Sequence, residues 1–132
     1  MPPEKLNILD RVEAQISQVF DPHIVADVND AQIKVAKFGP RFDWHSHGSE
    51  DEAFLVLRGR IALDFRDGVV ELGEGDFLCV PRGVEHRPRA LTSEPVVVMV
   101  EPAGTLNTGD ADSALTVSAP KRLRAGGVSD AV

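Results

Sequence analysis

The chain has 132 residues, 42% of them hydrophobic, and a formal net charge of -7. A chain of this length buries about two thirds of its unfolded surface and folds as one domain, while the acidic balance excludes nucleic acid and an anionic membrane surface, which need clustered Lys and Arg. No apolar run approaches the roughly 18 residues of a membrane span, Met1-Pro2-Pro3-Glu4-Lys5 leads into no signal-peptide core, and the lone Cys79 excludes an internal disulfide, so the expected location is cytoplasmic.

Leu9, Val12, Ile16, Val19 and Phe20 recur at helical spacing, which predicts a short amphipathic helix over residues 5–19. Beyond it the pattern is one of strands. Segments 23–28 and 32–38 flank the turn residues Asn29-Asp30, and segments 53–57 and 61–65 flank Arg58-Gly59-Arg60. Asp67-Gly68 and Gly73-Glu74-Gly75-Asp76 mark two further turns, and 95–101 closes the series. Short strands at such regular spacing predict an all-β barrel or jelly roll behind a short N-terminal helix. The domain is expected over 1–117 with its core in 23–101. From Ala103 onward Gly, Ala, Ser, Thr and Asp dominate, so 118–132 is expected to be a flexible tail.

Two segments carry chemistry. On an extended strand alternate side chains share a face, so His45 and His47 point the same way and can grip one ion. Glu52 lies at an odd offset, yet Gly48-Ser49-Glu50-Asp51 is a turn, so the chain bends and re-enters the sheet with Glu52 free to face the same ion. In the second segment, Gly75 to His86, a strand and a Pro81-Arg82-Gly83 turn deliver His86 to the start of another strand. The same parity puts Arg41 and Asp43 beside the histidines as candidates for substrate work, with Asp43 also a candidate to hold a ligand imidazole. Phe54 and Val56 share a face with Glu52, and with Leu63 and Phe77 they are the expected pocket lining. Trp44 falls on the opposite face, His23 reads as structural, and Cys79 reads as a packed thiol in an apolar strand. Val96 to Val100 is apolar on both faces. Such an outer face needs cover, which suggests a homodimer.

These residues resemble the cupin superfamily, whose first motif G-x5-H-x-H-x4-E-x6-G is met by Gly39, His45, His47, Glu52 and Gly59. The second, G-x5-P-x-G-x2-H-x3-N, is met by Gly75, Pro81, Gly83 and His86, with Ala90 in place of the closing Asn. The 15 residues between Gly59 and Gly75 resemble the short spacing of compact bacterial single-domain cupins. The similarity extends from about Asn7 to Gly109 and resembles small cupins often labelled mannose-6-phosphate isomerase-like. It implies a double-stranded β-helix that holds one divalent transition metal through His45, His47, Glu52 and His86.

Three imidazoles and a carboxylate suit Fe, Mn, Ni, Co or Zn, and the spacing does not choose among them. Three function classes follow for a small-molecule ligand: a sugar isomerase, a dioxygenase or lyase acting on a metal-chelating substrate against apolar walls, or a binding and sensing protein without turnover. The chain has no Tyr, which closes the route of those cupin lyases that use a tyrosine base near the metal.

Overall fold

The computed structural model describes residues 1–126. Helix α1 is Ile8–Gln15, shorter than its periodicity suggests. Asn7 caps it by accepting a hydrogen bond from the Asp10 N–H at 3.0 Å, and Ile16 is already extended at φ -114°. Val19 and Phe20 repeat at helical spacing for another reason. Val19 bridges Lys37, and Phe20 at φ 55° donates to the Lys37 carbonyl at 2.7 Å, which sends its ring to within 4.6 Å of the Phe42 ring.

Strands β1 (His23–Val28), β2 (Ala31–Lys37), β3 (Glu52–Arg58), β4 (Ile61–Phe65), β5 (Gly68–Leu72), β6 (Phe77–Val80), β7 (His86–Ala90) and β8 (Val96–Pro102) follow. They form two antiparallel sheets, ordered β1-β2-β8-β3-β6 and β5-β4-β7. This is the all-β jelly roll that the turn spacing predicts. The turns fall where Gly, Asn and Asp relieve the backbone: Asn29 takes φ 51° between β1 and β2, and Gly59 takes φ 78° between β3 and β4.

Alternation along the strands makes two apolar layers. Phe54 and Val56 of β3, Ile61 and Leu63 of β4, and Val97 and Met99 of β8 fill the space between the sheets. The other face of the larger sheet carries Leu55, Leu57, Val96 and Val98, which pack beneath Val12 of α1, beneath Ile16 just after it and beneath Leu123. The cover that the apolar face of β8 seemed to require from a second copy is thus supplied by this chain itself. Leu123 is placed by β1: Ile24 donates to the Lys121 carbonyl and Leu123 donates to the Ile24 carbonyl, each at 2.8 Å. Residues 121–124 therefore dock, although they fall in the expected flexible tail 118–132; positions 127–132 of that tail lie outside the described residues. No helix among the described residues is long and apolar enough to cross a membrane.

Candidate metal centre

The ladder that joins the two motif segments begins at the histidines. His45 and His86 form an antiparallel bridge, with N–H to carbonyl distances of 3.1 and 2.9 Å, and the Gly83 N–H donates to the His47 carbonyl at 2.8 Å. The sheet itself therefore sets the imidazoles side by side. Ring centroids lie 4.3 Å apart for His45 and His86 and 5.0 Å apart for His45 and His47. Glu52 opens β3 on the same inner face as Phe54, as the bend at Gly48-Ser49 requires. One donor atom from each of His45, His47, Glu52 and His86 falls within 4.8 Å of all the others, and all four residues are buried.

These donors fit a divalent metal. Two ligands at about 2.1 Å from an ion are about 3 Å apart when adjacent and about 4.2 Å when opposite, so a small inward movement closes the set. His45 Nδ1 lies 2.9 Å from the Asp43 carbonyl, and His86 Nδ1 lies 2.9 Å from the Val84 carbonyl. A carbonyl only accepts, so each Nδ1 carries the proton and each Nε2 keeps its lone pair for the centre. His47 Nε2 and His86 Nε2 are buried without a hydrogen bond among the described residues, 3.3 and 3.4 Å from Glu52 Oε1. Buried polar atoms normally have partners, and orphaned nitrogens converging on one carboxylate oxygen are what a ligand set looks like.

The electrostatics favour the binding form. Burial, with the neighbouring imidazoles, holds His45 down at about 4, the Asp43 carbonyl opposing, so the ring is neutral at pH 7. Burial alone would raise Glu52, but the His47 and His86 rings and the Glu101 carboxyl set against it outweigh burial and keep the carboxyl below its ordinary range. Glu101 is its counterpart: burial and the charge of Glu52 push it up to about 9, with Lys34 opposing. Lys34 Nζ lies 2.9 Å from Glu101 Oε1, and both side chains are buried. Strand alternation alone does not reveal this pair. Its signal was the alternation Val97, Met99, Glu101 along β8, masked by the equally apolar opposite face.

Beside the donors lies a cavity walled by aromatic and aliphatic side chains, Phe38, Phe42, Phe54 and Met99 among them, with His45, Glu52, Glu101 and Asn107 as its polar members. It leaves about 30 Å³ open to the centres of water-sized molecules, room for a couple of waters at about 10–15 Å³ each. Residues 103–117 form a strap joined to the histidine segment. Ser46 donates through N–H and Oγ to the Asp110 carboxylate at 2.8 and 3.2 Å, and the Asp110 N–H returns a bond to the Ser46 carbonyl at 3.0 Å. Gly109, at φ 54°, approaches the Ser46 carbonyl so closely that no β-carbon fits.

Several expected site residues lie elsewhere. Arg41 and Asp43 are exposed and line an outer groove with Arg87 and Arg89, because 40–44 is not a regular strand: Phe42 and His45 both face inward, so parity slips between them. Only the Asp43 backbone carbonyl serves the site. Phe54 lines the cavity, whereas Val56 and Leu63 lie deeper in the core. Phe77 is 61% exposed, since its partner across the ladder is Leu55, an outward residue of β3. The same register exposes Cys79 opposite Ala53, so this thiol is not packed. Trp44 lies outside the barrel, with the Arg66 and Arg87 guanidiniums 3.9 and 4.7 Å from its ring centre. His23 is buried, with Nδ1 3.0 Å from the Asp21 carbonyl.

Known proteins share this frame. The family described as Cupin domain matches residues 33–101. The uncharacterized protein YdbB of Bacillus subtilis is 39% identical over 67 residues, 50% of this chain and 59% of that protein, so the match spans less than two thirds of its length. A cupin-2 domain containing protein from Shewanella frigidimarina superposes with a TM-score of 0.67 at 35% identity, over 74% of this chain and 93% of its own. A Neisseria meningitidis protein superposes with a TM-score of 0.68 at 30% identity, over 76% of this chain and 100% of its own. The matched span contains His45, His47, Glu52 and His86 together with the strands that present them, and by that match the chain belongs to the cupin domain family.

Proposed function

We propose that this chain is a mononuclear metal-binding cupin enzyme of the cytoplasm, of dioxygenase or lyase type, whose small substrate chelates the metal inside the barrel. The observation that carries the reading is the convergence of four buried donor atoms beside an apolar cavity. His45, His47, Glu52 and His86 would hold the ion, which supplies Lewis acidity toward a bound oxygen and lowers the pKa of a bound water. The chain's own residues do the rest. The Asp43 and Val84 carbonyls fix the tautomers of His45 and His86. Phe38, Phe42, Phe54 and Met99 exclude bulk water, which strengthens every polar contact within. The predominance of such walls favours this reading over a sugar isomerase, whose substrate needs many polar partners. A homodimer, expected from the sequence, has no need of the outer face of β8, and light scattering on the purified chain tests it.

The reading is tested by elemental mass spectrometry of the chain purified without added metal, together with dioxygen uptake on a panel of enols and thiols. Near-stoichiometric iron with uptake is the expected result. A redox-inert occupant without uptake moves the assignment to a lyase, an isomerase or a binding protein, and no metal under any loading condition refutes it.

A further inference from the structure

Three neighbouring strands set a row of ionisable side chains behind the donor set. Ala53 of β3 pairs with Val100 of β8, so the antiparallel ladder brings Glu52 and Glu101, one step further along each strand, to facing positions on the inner side. Lys34 of β2 pairs with Met99, two residues before Glu101 on that same side, and all three ionisable groups are buried. Lys34 Nζ lies 2.9 Å from Glu101 Oε1 and donates to the Thr105 carbonyl at 3.1 Å. The Glu101 carboxyl in turn shares a hydrogen bond with that of Glu52. At the far end Glu52 Oε1 lies 3.3 Å from His47 Nε2 and 3.4 Å from His86 Nε2. The row therefore runs from a cation anchored on the backbone, through two carboxyls, to the donor nitrogens.

Stability does not account for it. A buried ammonium–carboxylate pair loses on desolvation much of what it gains from attraction, and apolar side chains of similar volume fill such space as well or better. Two carboxylates facing each other across a ladder also repel unless a proton lies between them. What the row supplies is orientation. A glutamate side chain has free torsions that must be fixed when it becomes a ligand, and a partner on its carboxyl fixes them beforehand.

We infer that Glu101, anchored by Lys34, is a positioning residue of the metal centre: its carboxyl hydrogen-bonds that of Glu52 and keeps Glu52 Oε1 turned toward His47 and His86. The inference rests on the metal-site reading above. Lys34 acts only through Glu101, by holding its Oε1. A glutamine at position 101 can make both contacts, its N–H donating to Glu52 and its oxygen accepting from Lys34, whereas a leucine makes neither.

The test uses the full chain freed of metal by chelator and titrated with Co²⁺ at one fixed pH. Affinity is recorded together with the visible absorption of the bound ion, which follows the number and arrangement of its ligands. Glu101→Leu is expected to bind Co²⁺ about 10–100-fold more weakly and with an altered spectrum. Glu101→Gln is expected to stay within about threefold of the unaltered chain and to keep its spectrum. Lys34→Met/Glu101→Leu should match Glu101→Leu within about twofold, because the two residues act as a unit. The double variant also gives the readout should Glu101→Leu fail to fold around its stranded Lys34 ammonium. A side chain that only fills the core changes urea unfolding and neither Co²⁺ readout. Unchanged affinity and spectrum in Glu101→Leu, or in the double variant, therefore overturn the role of Glu101 and leave the metal reading standing. Equal losses in Glu101→Gln and Glu101→Leu also overturn it, since the amide keeps the hydrogen bond. Failure of the unaltered chain to bind Co²⁺ overturns the metal reading and this inference with it.

Discussion

Raising the pH of the metal-free chain should cost it stability through Glu101. Its folded-state pKa is raised from 4.5 to about 9 by burial and by the Glu52 carboxylate. Above pH 4.5 the folded chain therefore keeps a proton that the unfolded chain releases, so this contribution is whole below 4.5 and is lost as pH climbs through about 9. One proton is worth about 1.4 kcal/mol per pH unit. Moving from about pH 6.5 to about pH 8.5 then removes on the order of 2–3 kcal/mol, a large part of the roughly 5–15 kcal/mol that holds a typical domain folded. His45 works from the other side. Its pKa is lowered from 6.5 to about 4, so its contribution is whole above 6.5 and is lost as pH falls towards 4. The two slopes oppose each other between 4.5 and 6.5 and leave a plateau there. The assay is urea unfolding in excess chelator at a series of pH values, for the unaltered chain and for Glu101→Gln. The unaltered chain should lose stability on the alkaline arm while Glu101→Gln stays level. Equal slopes in the two proteins, or a level arm in both, would refute the reasoning.

Three further outcomes are expected. His86→Ala should lose most bound metal, measured by elemental mass spectrometry, while circular dichroism shows an intact barrel, because strands and not the ion supply the core; unfolding instead would make the site chiefly structural. Gly109→Ala places a carbon against the Ser46 carbonyl and 3.2 Å from the His45 ring, so calorimetric titration should show weaker metal binding. Thermal unfolding of the same variant should show a loss of about 1–3 kcal/mol. Ile16→Ala empties the layer beneath α1 and should cost about 2–5 kcal/mol in denaturant unfolding, with metal stoichiometry unchanged.

The sequence disclosed those parts of the site that lie on regular strands or on turns rich in Gly. His45 and His47 obey alternation, Glu52 follows the bend at Gly48-Ser49, and His86 follows the turn at Gly83, so the grouping of all four is legible in the sequence. Arg41 and Asp43 were misplaced because alternation holds only where the backbone is a strand, and it lapses between Phe42 and His45. Phe77 and Cys79 depended on the β3–β6 register, which composition does not encode. Lys34 and Glu101 were hidden for a different reason. β8 is apolar on both sides, and its inner face could not be told from its outer one until α1 and Leu123 were seen to cover the latter.

The strap has a consequence for residence time. Three hydrogen bonds join Asp110 to Ser46, the residue between two of the donor histidines, so the strap lifts from the histidine segment only when they break together. An ion behind such a latch escapes at the frequency of local opening and not at the speed set by its coordination bonds. A chelator challenge then yields release whose rate is independent of chelator concentration, and Asp110→Ala quickens that release while leaving the equilibrium constant nearly where it was. Retention of an ion here would then be a property of the strap as much as of the ligands.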